Sequence, residues 1–150
     1  RPDYSFVFTG PEDDGFRQHR IHSLKNAYFT GQKKVDELPA YITAYDVCIN
    51  PQMVNDITDG NYPLKIDEYL AMGKPTVATS THTMRHIFAD HTHLATNPEE
   101  WLSAIDRAVT EADDKELAKQ RIAFAETHSW GHSVKKIYGI IDNFLKEKAT

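Results

Sequence analysis

Residues 61–79, NYPLKIDEYLAMGKPTVAT, constrain the fold more than any other stretch, because a helix must end and a buried strand begin within a few residues. Asn61 or Tyr62 is placed to cap the helix, and Pro63 suits its first turn, where a missing N–H costs nothing. Ile66 and Leu70 lie four residues apart and face a core, while Lys65 and Glu68 share a different face. Gly73 falls where a glycine ends helices, and Pro75 forbids continuation. Pro75–Thr79 then reads as a short buried strand. A lysine in the first turn opposes the helix dipole at a cost of about 0.3–1 kcal/mol. An anion bound there reverses the sign. Backbone N–H groups, a dipole and a lysine together describe a phosphate site.

Around this unit, strand and helix signals alternate. Strands read at Tyr4–Thr9, Ala27–Thr30, Asp46–Asn50, Pro75–Thr79 and His93–Thr96, each short, rich in Val, Ile, Phe and Tyr, and bounded by Gly, Pro or Asn. Helices read at Val35–Ala44, Pro63–Met72, Thr83–Ala89, Pro98–Glu111, and from Asp114 to near the C-terminus. Asn97-Pro98-Glu99-Glu100 supplies a cap, a proline and first-turn acids. Ser129 is placed to cap a final helix whose Val134, Ile137, Tyr138, Ile141 and Leu145 follow the 3.6-residue period. The pattern is that of an α/β fold, a doubly wound parallel sheet of Rossmann-like type.

Ligands of such sheets bind beyond the C-terminal ends of the strands. Those ends include Gly10-Pro11, Gly31-Gln32, Asn50-Pro51, Ser80-Thr81 and Thr96-Asn97. The connection from Pro51 to Tyr62 is about twelve residues long against a usual four to six, and it delivers the chain to Pro63 and Lys65. A net charge of −5 argues against nucleic acid as a partner. Cys48 is the single cysteine, so no disulfide framework exists, and it suits a reducing cytosol. No apolar run approaches the length of a membrane span.

The residues Pro63, Lys65, Glu68–Ala71 and Gly73–Pro75 resemble the C-terminal, donor-binding half of GT-B glycosyltransferases of group 1 (GT4-like), in a bacterial cell-surface polysaccharide subgroup. PDYSFVFTGP (2–11), residues 26–51 and HSW (128–130) follow in that family's usual order. The resemblance implies that Glu68 accepts hydrogen bonds from the ribose of a nucleoside-diphosphate sugar. It places the Leu64 and Lys65 backbone beside the diphosphate, with Lys65 as the catalytic charge on the leaving group. Pro63, Gly10 and Gly31 would line the donor site, and residues 30–32 would flank the base. The family's Glu-(seven residues)-Glu motif has Gly60 at its first position, which leaves the sugar contact open. Asp56 and Asp59 are candidates for it, and each also reads as a solvated turn residue.

The same resemblance implies that residues 1–150 form one nucleotide-sugar-binding domain, lacking the first strand–helix unit and the N-terminal acceptor domain, and inactive alone. It implies retaining transfer to a glycan or lipid-linked acceptor, without a metal or other cofactor. It further implies a cytoplasmic setting, with peripheral association of the full-length protein at the inner membrane face. Two alternatives stay open: a non-catalytic nucleotide-sugar-binding module, and another GT-B enzyme such as a sugar-nucleotide 2-epimerase. His82/His86 and His128/His132 stand four apart, but neither pair has a third ligand at convincing spacing, so no metal site is read. Trp101 and Trp130 read as helix-packing residues. Lys115, Lys119 and Arg121 read as a solvated face among acidic neighbours.

Overall fold

The computed structural model describes residues 1–148, and its strands pair in parallel as two sheets, one in each of two compact units. The first unit, Arg1–Tyr41, holds β1 (Phe6–Thr9) and β2 (Ala27–Gly31) in the register Phe6↔Ala27 to Thr9↔Gly31, with one step between Phe8 and Thr9. The crossover carries a short helical turn, α1 (Asp14–Arg17), capped by Asp13, whose carboxylate accepts the Phe16 N–H at 2.7 Å. Phe8 stacks on Phe29 with centroids 5.0 Å apart, and the His22 ring lies 3.8 Å from that of Phe29. The expected helix Val35–Ala44 divides into a 3-10 turn, Val35–Glu37, and α2 (Leu38–Ala44).

The second unit opens at Ile42 and contains β3 (Cys48–Asn50), β4 (Thr76–Thr79) and β5 (His93–Ala95), in that spatial order. All four residues of β4 are buried, as its composition predicts for a central parallel strand. Alternation sends Val77 into one core with Ala95, Ala104 and Ala108, and Ala78 into another with Ile66, Leu70, Met84 and Phe88. Helices therefore cover both faces of this sheet. On one side lie α3 (Leu64–Ala71), α5 (Lys115–Glu126) and the wide turn Met84–Phe88; on the other lies α4 (Pro98–Thr110). Trp101 packs against the α4 side, as expected. Cys48 is buried in β3, which pushes its thiol up to about 12 and leaves it an unreactive apolar filler.

Helix ends follow the sequence signals closely. Asn97 accepts the Glu100 N–H at 2.9 Å, and Glu100 in turn accepts the Thr96 N–H and hydroxyl at 2.7 and 2.6 Å. Asp114 caps α5, and Ser129 Oγ accepts the His132 N–H at the start of α6 (Trp130–Lys148). The end of α3 is a Schellman motif. The Gly73 N–H donates to Leu70 O at 2.8 Å and the Lys74 N–H to Tyr69 O at 3.0 Å, with Gly73 at φ +71°.

Some expectations are corrected. Expected strand bounds shrink or shift by a residue or two, so that β1 starts at Phe6 and β3 at Cys48. Neither Asn61 nor Tyr62 caps α3; Pro63 holds the cap position, and no side chain closes the first turn. Arg121 is buried rather than solvated. It falls on the face of α5 that also carries Ala118 and Ala125, pairs with Glu111, and donates to Gly73 O at 3.4 Å. Glu111 also meets His93 at 2.9 Å. Trp130 does not pack: it is 87% exposed, and no residue of α6 is buried. No described helix is long and apolar enough to cross a membrane.

A Cβ at Gly73 would sit 3.1 Å from the Ala118 Cβ in a left-handed conformation, so Gly73→Ala should cost about 1–3 kcal/mol of unfolding free energy. Gly60→Ala, in open space, should stay within about 0.5 kcal/mol in the same thermal unfolding measurement. The hydrogen bonds from Thr96 hold the exposed Glu100 carboxyl below its usual range. That contribution exists above the unfolded-state value and is lost as pH falls through the folded one. Urea midpoints of the wild type and Glu100→Gln should therefore differ at pH 7 and converge below the ordinary glutamate value of 4.5.

Candidate functional site

The long connection after β3 is ordered by its own polar side chains. Asn55 Oδ1 accepts the N–H groups of Ile57 and Thr58 at 3.0 and 2.9 Å, and the Thr58 hydroxyl donates to Met53 O. Hydrogen bonds anchor it to the end of β4 and to the segment that follows. The Gln52 N–H donates to Thr79 Oγ1 at 2.8 Å, and Asp59 Oδ1 accepts the His82 N–H at 2.6 Å. The Asp59 carbonyl also accepts from Thr83 N at 3.3 Å. Because β3 and β4 run parallel, this loop lies along the edge formed by their C-terminal ends. It then leads into Pro63 and α3.

Lys65 and Glu68 are both exposed on the first turns of α3, while Ile66 and Leu70 are fully buried beneath them. Burial of the two aliphatic side chains contributes about 1.5–3 kcal/mol each and holds the helix to the sheet. Among the described residues, Lys65 and Glu68 do not pair with each other. Although they stand three residues apart on one helix face, no surface ion pair joins them. The Ile66 N–H donates to Pro63 O at 2.9 Å, and with proline at the cap position the Leu64 and Lys65 N–H groups ahead of it have no side-chain cap. A lysine, free N–H groups and the positive end of a dipole thus coincide.

Asp67 lies on the neighbouring face and is fully engaged. Its Oδ2 accepts the Tyr62 hydroxyl at 2.6 Å, and its Oδ1 lies 2.8 Å from His128 Nδ1. Tyr62 Oη is 3.2 Å from the same nitrogen. A cleft of about 600 Å3 opens beside this cluster, lined by Tyr62, Leu64, Asp67, His128, Trp130 and Lys136 among others. Lys65 and Glu68 do not line it. Partial burial and the hydrogen bond to Asp67 raise the Tyr62 phenol well above its usual range, so it remains a hydrogen-bond donor.

The predicted residues divide between the units. Gly10 and Gly31 belong to the first, where the Gly10 N–H donates to Gly31 O at 3.1 Å and both backbones have positive φ. Asp59, Pro63, Leu64, Lys65 and Glu68 belong to the second. Asp59 is tied into backbone hydrogen bonds, and Asp56 is an exposed turn residue. The Tyr62–Asp67–His128 cluster escaped sequence reading, because His128 is 61 positions from Asp67. The tyrosine just ahead of the helix and the aspartate within it were the available half of that signal. The His82 and His86 rings stack at 4.0 Å, and His86 Nδ1 meets His82 O at 2.8 Å. Among the described residues, no group of three His, Cys, Asp or Glu is gathered as for a metal ion.

If Asp59 is a structural tie, Asp59→Ala should lower the unfolding free energy by about 1 kcal/mol, the worth of a side-chain cap. Asp59→Asn, which keeps an acceptor oxygen, should lose less in the same denaturation series.

A family model described as "Glycosyl transferases group 1" matches residues 1–111. The chain is also similar to a protein of Bacillus subtilis (strain 168) named as a teichuronic acid biosynthesis glycosyltransferase, TuaH. The two are 27% identical over 144 residues, covering 91% of this chain and 36% of that relative. The chain thus spans little more than a third of that relative's length.

Proposed function

The chain belongs to the group 1 glycosyltransferases, and from that premise we propose that it binds the nucleoside-diphosphate sugar donor in a retaining transfer to a cell-surface glycan. The observation that carries this reading is the start of α3. Lys65 is exposed and unpaired with Glu68, on a helix whose first N–H groups lack a side-chain cap, beside the C-terminal edge of parallel strands. A diphosphate supplies the acceptors that these donors need. The glycan acceptor is supported by the teichuronic acid role in the relative's name.

Transfer breaks the bond between the anomeric carbon and the diphosphate oxygen, and negative charge grows on the departing nucleotide. Lys65 and the helix N–H groups stabilise that charge as it develops, an electrostatic contribution made without a covalent intermediate on this helix. Glu68, one turn on from Leu64, offers two acceptor oxygens to the paired hydroxyls of a ribose. The two residues therefore divide the nucleotide between them: the lysine takes phosphate and the glutamate takes sugar. The acceptor-binding part of the reaction is assigned to sequence beyond these residues.

Titration of the isotope-labelled protein with UDP, GDP and ADP, followed through amide shifts, tests this assignment. Shifts centred on Leu64–Glu68 are expected for one of the three. Lys65→Ala should weaken that nucleoside diphosphate about tenfold while leaving the weaker binding of the bare nucleoside unchanged. Glu68→Ala should weaken both. Absence of shifts at these amides with all three nucleotides would overturn the reading.

A further inference from the structure

Resting on that donor-site reading, we propose that Tyr62 and His128 are positioning residues: they clamp Asp67 and so fix the first turn of α3, which presents Lys65 and Glu68. An ionised carboxylate only accepts hydrogen bonds. Tyr62 therefore donates to one Asp67 oxygen at 2.6 Å, and His128 carries its proton on Nδ1 and donates to the other at 2.8 Å. The two donors come from opposite sides of the helix in sequence, and they stand 3.2 Å apart. Tyr62 immediately precedes the proline that opens the helix, and His128 sits in the junction between α5 and α6.

The clamp supplies what the helix start lacks. Pro63 provides no side-chain cap, and an uncapped first turn frays. Asp67 stands between Lys65 and Glu68 in sequence, so displacement of its backbone moves both groups. His128 is in turn held by the core. Its ring meets Phe124 edge-on at 4.5 Å and Phe88 at 5.7 Å, and Phe88 is fully buried. Tyr62 rests on the same Phe88 at 5.5 Å. One buried phenylalanine thus steadies both donors. The Asp67 and His128 side chains are only 20% and 22% exposed, which limits competition from water.

The test separates orientation from packing. His128→Phe keeps the ring contacts and removes the donor, whereas His128→Asn keeps a donor near the Nδ1 position and removes the ring. Nucleotide affinity and amide hydrogen exchange at Leu64–Glu68 are measured together, with thermal unfolding as the control. His128→Phe and Tyr62→Phe should each bind the nucleotide about tenfold more weakly, the scale of one hydrogen bond to a charged group. Their first-turn amides should exchange faster, and His128→Asn should recover part of both. Wild-type exchange and affinity in His128→Phe would overturn the clamp while the donor assignment stands. A fall in melting temperature with unchanged affinity would reduce the cluster to packing and also overturn it. If the wild type binds no nucleotide, the donor assignment fails by itself, and the clamp loses the role proposed for it even where exchange accelerates.

Discussion

The second unit depends on the close approach of α3 and α5, and that approach depends on a residue with no side chain. At Gly73 the chain takes a left-handed turn that lets two consecutive N–H groups close the end of α3. The space beside it is filled by Ala118 of α5. Arg121, one turn further along α5, donates to the Gly73 carbonyl and is neutralised by Glu111. A cation at the C-terminal end of a helix meets the negative pole of its dipole. Burial disfavours the charged guanidinium, and Glu111 acts in the opposite sense to retain it. Small residue, left-handed turn and buried cation operate as one joint.

The two ends of α3 are therefore built differently. At its C-terminal end the Glu68, Tyr69 and Leu70 carbonyls are answered by the Met72, Gly73 and Lys74 N–H groups. Its N-terminal end has a proline instead of a cap, and its charged residues point away from the core. The donors left open at that end are the Leu64 and Lys65 N–H groups. The buried Ile66 and Leu70 hold the helix against the sheet regardless. The helix is thus anchored along its length and open at one end.

Much of this was legible because the relevant physics is local. The glycine and proline after α3, the Asn97 and Ser129 caps, and the buried β4 all act within a few residues. The parallel α/β architecture followed from the same alternation. What sequence could not reveal depends on side chains meeting across long separations. Arg121 looked like one more surface cation, since nothing in its neighbourhood announces Glu111 as a buried partner. The role of Asp67 could not be read at all, because its two donors lie before the helix and far beyond it. The pairing of the strands into two sheets likewise rests on backbone contacts that periodicity does not encode.

The last helix has an energetic consequence of its own. Helix α6 runs for 19 residues without burying one of them, so tertiary packing contributes little to its helicity. It must draw on intrinsic propensity, against two glycines at positions 131 and 139. Most helices in proteins gain their stability from packing an amphipathic face rather than from propensity. Within these residues α6 therefore rests chiefly on its own backbone hydrogen bonds, and opening it costs less free energy than opening the sheet.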